Sequence, residues 1–165
     1  MRLNLNDIVG KPGSKKPFQF SLDLQSLHFP QVQHIDGPFE ATGLVANKAG
    51  ALELVGELGL SIVYTCDRCM VPVPIRETLP VTAHLAEELE DEDNPDIFLL
   101  ENGAVDLEEV FTTAFVLSMD SKFVCDDDCL GLCTACGANL NHDPCACHKE
   151  VDPRLAALQQ LLDTE

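Results

Sequence analysis

Positive charge is scarce in this chain and almost missing from its second half. Residues 77–165 hold three Lys or Arg against twenty-one Asp or Glu, whereas residues 1–76 hold seven of each, so the second half carries the whole formal net charge of −18. A surface of that sign repels a phosphate backbone, because nucleic-acid binders supply Lys and Arg to displace counterions. Broad nucleic-acid contact through residues 77–165 is therefore not expected. A basic partner protein is the better electrostatic match, although acidic surfaces also serve solubility alone.

Long apolar runs are lacking too. No stretch approaches the roughly 18 residues of a membrane span, and "MRLNLNDIVGKPGSKKPF" has none of the continuous hydrophobicity a secretory signal needs. The expectation is a cytoplasmic protein without membrane contact. Catalytic signatures are equally missing: there is no Gly-rich phosphate loop, no HExxH, and no Ser or Cys nucleophile with an identifiable base. No enzymatic activity is expected.

What the chain does have is cysteine, eight in all, six of them in the stretch from Cys125 to His148. In a reducing compartment disulfides are disfavoured, so clustered thiols point to metal or redox chemistry. Zinc takes four ligands in a tetrahedron, and a Cys-x-x-Cys turn places two thiolates on one edge of it. Two such turns occur, Cys66/Cys69 and Cys133/Cys136. The first needs two ligands from elsewhere, and Cys125 and Cys129 are the available pair; the second can be completed locally by Cys145 and Cys147. Two closed four-cysteine sites would use every thiol, as structural zinc does, and leave no position for an activated water. The allotment stays open at this point: Cys129 and Cys133 could trade places, and His142 or His148 could replace a thiol.

Apolar alternation with a period of two predicts the scaffold. Phe18, Phe20, Leu22 and Leu24 line one face of a first strand, Phe39, Ala41 and Val45 suggest a second, Leu52 to Tyr64 on even positions give a third, and Ile75, Leu79, Val81, Ala83 and Leu85 a fourth. One packed and one wet face is the mark of an antiparallel sheet. "NKAG" at Asn47–Gly50 predicts the turn between strands two and three, and Gly56 and Gly59 predict a bulge or sharp bend that curls the sheet toward a barrel. After "EELEDEDNPD" (87–96), seven of whose ten residues are acidic and which is read as a mobile loop, "DIFLLE" predicts a strand and "NG" a tight turn. "DLEEVFTTAFVLSM" predicts a helix with Asp106 as N-cap, Glu109 in a capping box, and Leu107, Val110, Phe111, Ala114, Phe115 and Leu117 on its apolar side. "VDPRLAALQQLLDTE" predicts a terminal helix with a leucine stripe.

The expected fold is thus α+β: a curved, partly barrel-like antiparallel sheet with a packed helix and a small Cys-rich zinc-knuckle module. Its parts are a β region over 1–86 with the central CxxC, the acidic loop 87–96, a strand and helix of the same domain over 97–124, and the zinc module with the terminal helix over 125–165.

"CDRCMVPV", followed by "CDDDCLGLCTACGANLN", "CAC" and "DPRLAALQQLL", resembles the bacterial YceD family, the large ribosomal RNA subunit accumulation proteins. The residues that carry the likeness include Gly131, Leu132, Gly137, Asn139, Leu140, Asn141, Asp152, Pro153 and Arg154 beside the eight cysteines. The resemblance implies a role in the synthesis, processing or stability of large-subunit (23S) ribosomal RNA, with no catalytic residues to carry over. The family varies in its tail, which implies that the first cysteine site matters more to the shared function. The implied partners are a large-subunit precursor or basic ribosomal and processing proteins, with any direct RNA contact made through the N-terminal half, by Arg2, Lys11, Lys15, Lys16, Arg68 and Arg76. A redox-switched zinc chaperone is the alternative, and a zinc ribbon bound to nucleic acid is a third reading that conflicts with the charge.

Overall fold

A computed structural model describes residues 1–25, 27–30, 32–87, 97–143 and 145–147. In chain order its elements are β1 (Arg2–Asn4), α1 (Asn6–Val9), β2 (Lys15–Leu22), β3 (Val32–Ile35), β4 (Phe39–Lys48), β5 (Ala51–Thr65), β6 (Pro72–Ala86), β7 (Ile97–Leu99), β8 (Ala104–Asp106) and α2 (Leu107–Ser118). The main sheet runs β2-β4-β5-β6-β7, with β3 also paired to β5, and β1 and β8 form a separate two-stranded sheet. The path ends at β2 and β7 without closing, so the sheet is open.

Alternation dictates which face is buried. Leu52, Leu54, Leu58, Leu60, Ile62 and Tyr64 of β5 are all buried, as are Phe18, Phe20 and Leu22 of β2 and Phe39, Ala41 and Val45 of β4. Helix α2 lies against this face through Leu107, Val110, Phe111 and Phe115. Phe111 meets Phe18 and Phe20 edge-on at ring separations of 5.8 and 5.4 Å, and Phe115 meets Phe29 at 5.8 Å. Each such side chain contributes roughly 1.5–3 kcal/mol on burial, which is what holds the helix to the sheet. Asp106 caps α2, its carboxylate accepting from the Glu108 N–H at 3.0 Å. Leu117, expected on the apolar side, is instead 66% exposed. It stands over a shallow cleft beside Val81 and Phe98, where β7 is only three residues long and gives little cover.

The β4–β5 hairpin turns at Ala49 and Gly50, both at positive φ (55° and 103°), with Lys48 paired to Ala51. Positive φ at both central residues matches the twist of the flanking strands. Asn47, the one polar residue buried among those described, stabilises this corner: its amide donates to the carbonyls of Ile8 and Val9 at 2.8 Å, and its Oδ1 accepts from the Gly50 N–H.

The bulge expected at Gly56 and Gly59 is not there. β5 runs 15 residues with unbroken registers to both β4 and β6. Gly56 faces Gly43 across the ladder, and the pair makes room for rings. A Cβ on Gly43 would lie 2.5 Å from the Val55 oxygen and 2.7 Å from Phe18, and one on Gly56 would lie 2.8 Å from the Thr42 oxygen and 3.0 Å from Phe111. A second correction concerns β7, which pairs with β6 in parallel, His84 opposite Ile97 through Ala86 opposite Leu99. Of the acidic segment only Glu87 is described, and the terminal helix expected from Asp152 onward lies outside the described residues.

Candidate metal centre

β5 and β6 are paired to their ends, Thr65 opposite Pro72, so the six residues between them must reverse the chain. They do so as a knuckle: the Cys66 N–H donates to the Val71 carbonyl and the Met70 N–H to the Cys66 carbonyl, both at 2.9 Å. Met70 adopts φ +62°, a left-handed conformation seldom taken by residues with a side chain. Beyond α2 the chain returns to this knuckle. Phe123 stacks on Tyr64 at 3.7 Å, its N–H donates to the Asp67 carboxylate at 2.7 Å, and its carbonyl accepts from the Asp67 N–H at 2.8 Å. Arg68 closes the contact, one guanidinium nitrogen donating to the carbonyls of Asp127 and Cys129 at 2.9 Å.

This brings the sulfurs of Cys66, Cys69, Cys125 and Cys129 within 4.8 Å of one another. Cys66 and Cys129 stand 3.9 Å apart and Cys69 and Cys125 3.5 Å. Four sulfurs at about 2.3 Å from a tetrahedral zinc would stand about 3.8 Å apart, so the geometry fits a Cys₄ ion. Three of the four residues are buried, Cys66 completely.

The second cluster repeats the pattern in a loop. The Cys133 N–H donates to the Ala138 carbonyl and the Gly137 N–H to the Cys133 carbonyl, both at 2.8 Å, in the same register as the first knuckle. Gly137, at φ +74°, takes the place that Met70 takes there. Cys133, Cys136, Cys145 and Cys147 again lie within 4.8 Å, but Cys136 and Cys147 are exposed. The sulfurs therefore group as the spacing suggested, four and four. His142 lies beside the first cluster without joining it, and His148 lies outside the described residues.

Electrostatics in the two sets run in parallel. Burial opposes the Cys66 thiolate, yet backbone N–H groups of Cys69, Cys125 and Arg68 outweigh it and bring its pKa down to about 6. Backbone N–H groups of Cys136 and Ala135 bring Cys133 to about 6 in the same way. Cys125 is pushed up to about 12 by the sulfurs of Cys129 and Cys69, and Cys147 to about 12 by Cys136. Four sulfurs so close cannot all be thiolates without a cation between them, and a divalent soft-ligand metal resolves that conflict.

Four of the seven cations of the N-terminal half make contacts within the protein. Besides Arg68, Arg2 pairs with Glu101, Lys16 with Asp7 and Lys48 with Glu53. Among the described residues no helix is long and apolar enough to cross a membrane. Sequence reasoning assigns none of Asp67, Arg68, Phe123 and Asn141 to the site: Arg68 reads as an RNA contact and Asn141 as part of the family motif, Asp67 lies unremarked inside "CDRCMVPV", and Phe123 carries no signal.

An α+β protein whose central hairpin and C-terminal loop each gather four cysteines is, by fold and site, a knuckle protein with two candidate metal centres. The chain belongs to the large ribosomal RNA subunit accumulation protein YceD family, whose model matches residues 54–162, a span that includes both clusters. Uncharacterized proteins of Mycobacterium tuberculosis and Mycobacterium bovis are each 31% identical to it over 118 residues, covering 68% of this chain and 56% of theirs. One of Mycobacterium leprae is 34% identical over 61 residues, 37% of this chain and 28% of its own. The chain thus spans little more than half the length of the first of these relatives. No solved structure matches it.

Proposed function

We propose that this chain is a non-enzymatic zinc protein of ribosome biogenesis that supports the synthesis, processing or stability of large-subunit ribosomal RNA through basic protein partners. Membership of the family carries the reading, since the matched residues include all eight cysteines. Zinc is the metal favoured by closed four-thiolate sets, and Cys66, Cys69, Cys125, Cys129, Cys133, Cys136, Cys145 and Cys147 are its ligands in this reading. With every thiol engaged, the metal is structural and no turnover occurs at it. Protein rather than RNA is the favoured contact because the C-terminal half is a polyanion and several N-terminal cations are paired internally.

The test is affinity capture from a bacterial lysate with and without nuclease. Basic large-subunit proteins should remain bound after RNA digestion; loss of every partner on digestion would contradict the reading. A redox-switched chaperone is the second reading, favoured by the exposure of Cys136 and Cys147. Peroxide-driven zinc loss together with suppressed client aggregation would move the assignment there.

A further inference from the structure

One side chain from the loop of the second cysteine set reaches a sulfur of the first. Asn141 lies in the loop between Cys136 and Cys145, both of the second set. Its amide nitrogen donates to the Cys129 sulfur of the first set at 3.3 Å, and its Oδ1 accepts from the Leu130 N–H at 2.8 Å. The same amide nitrogen also donates to Asn139 Oδ1 at 2.9 Å. Asn139 in turn pairs with Leu132 in an isolated antiparallel bridge, and the Leu140 N–H donates to the Gly131 carbonyl at 2.9 Å. Tight packing fixes the segment being gripped, since a Cβ on Gly131 would fall 2.9 Å from the Arg68 oxygen.

We propose that Asn141 is a positioning residue of the first metal site, and that loading of the second site holds it there, so the outer cluster acts as a latch on the inner one. The inference rests on the metal-binding part of the proposed function. With both ends of the loop pinned to one ion, the bridge of Asn139 to Leu132 and the Leu140–Gly131 hydrogen bond are reinforced and Asn141 is kept against Cys129. Release of that ion leaves those backbone contacts alone to hold the loop, and the Cys129 thiolate keeps its N–H donor for a smaller share of the time. Groups that hydrogen-bond metal ligands from outside change metal affinity about 10–100-fold, and the lower figure suits an exposed amide.

The experiment uses the full chain loaded with zinc, challenged with excess chelator, while alkylation of Cys66, Cys69, Cys125 and Cys129 is followed residue by residue by mass spectrometry. Asn141→Ala should speed first-site release about tenfold, as should the double substitution Cys136→Ser and Cys147→Ser. Combining all three should be no faster than either alone. Asn141→Asp keeps the oxygen for the Leu130 N–H and removes the donor to sulfur, so it should also release faster. With cobalt in the first site it should shift the sulfur-to-metal charge-transfer band to longer wavelength. This surface substitution keeps the positioning role testable even if the double variant fails to fold, and Cys147→Ser alone, at an exposed thiol of the second set, then reads the latch by the same release rate. An unchanged first-site rate in Asn141→Asp or in the double variant, or effects that multiply, would overturn the latch. Two zinc ions bound with independent release would defeat the latch alone, whereas no zinc uptake would defeat the metal reading with it.

Discussion

In each cluster the thiol that opens the Cys-x-x-Cys turn accepts backbone N–H groups, and the partners delivered later in the chain meet sulfurs already in place. Cys66 and Cys133 accordingly sit at about 6, Cys125 and Cys147 at about 12, with Cys69 and Cys145 raised as well. At pH ~7.5 the first two are already thiolates, while the raised thiols still hold protons that zinc must displace. Uptake should therefore release at least two protons per site, one from each raised thiol, measured by calorimetry in buffers of different ionisation enthalpy. As pH falls through 6, Cys66 and Cys133 protonate too, so the count climbs toward four and affinity falls. Release of four protons per site already at neutral pH would show that the backbone does not prepare these thiolates.

The knuckles are one element used twice, with the same pair of backbone hydrogen bonds and a left-handed residue after the second cysteine. Gly137 takes that conformation without strain, and a Cβ there would meet no atom within 4 Å. Met70 takes it at a cost of about 1–2 kcal/mol. Met70→Gly should therefore stabilise the protein by a few tenths to about 1 kcal/mol, after the added freedom of the unfolded chain is subtracted. Gly137→Ala should destabilise by about 1 kcal/mol for the backbone alone. Denaturant unfolding of the zinc-loaded chain reads both; a loss of stability in Met70→Gly would mean that the side chain itself supports the first cluster.

Legibility also differs by element. The strands with strict alternation, residues 52–64 above all, could be read because a half-buried sheet face imposes a period of two, and the capped helix because Asp106 marks its start. The short β1, β8 and α1 could not, since three or four residues carry no period. Gly56 misled because a glycine that admits an aromatic ring looks, in sequence, like one that bends a strand. The parallel placement of β7 depends on tertiary packing and has no local signature. At the site, the cysteines announced themselves by spacing, whereas Asp67, Arg68 and Phe123 act through backbone contacts that any sequence can hide.

At the scale of the whole molecule, the first cluster joins the tip of the β5–β6 hairpin to the chain that leaves α2, so metal there would tie sheet to helix across more than fifty residues of sequence. The second cluster ties only a local loop and carries the more exposed thiols. Charge is divided along the same line, with the neutral half building most of the sheet and the anionic half bringing six of the eight cysteines. The most direct measurement is elemental analysis of freshly purified protein combined with titration of its thiols. The account predicts two zinc ions per chain with all eight thiols protected until a chelator is added. A metal-free protein with its sulfurs paired as disulfides, or one zinc with four thiols freely reactive, would contradict it.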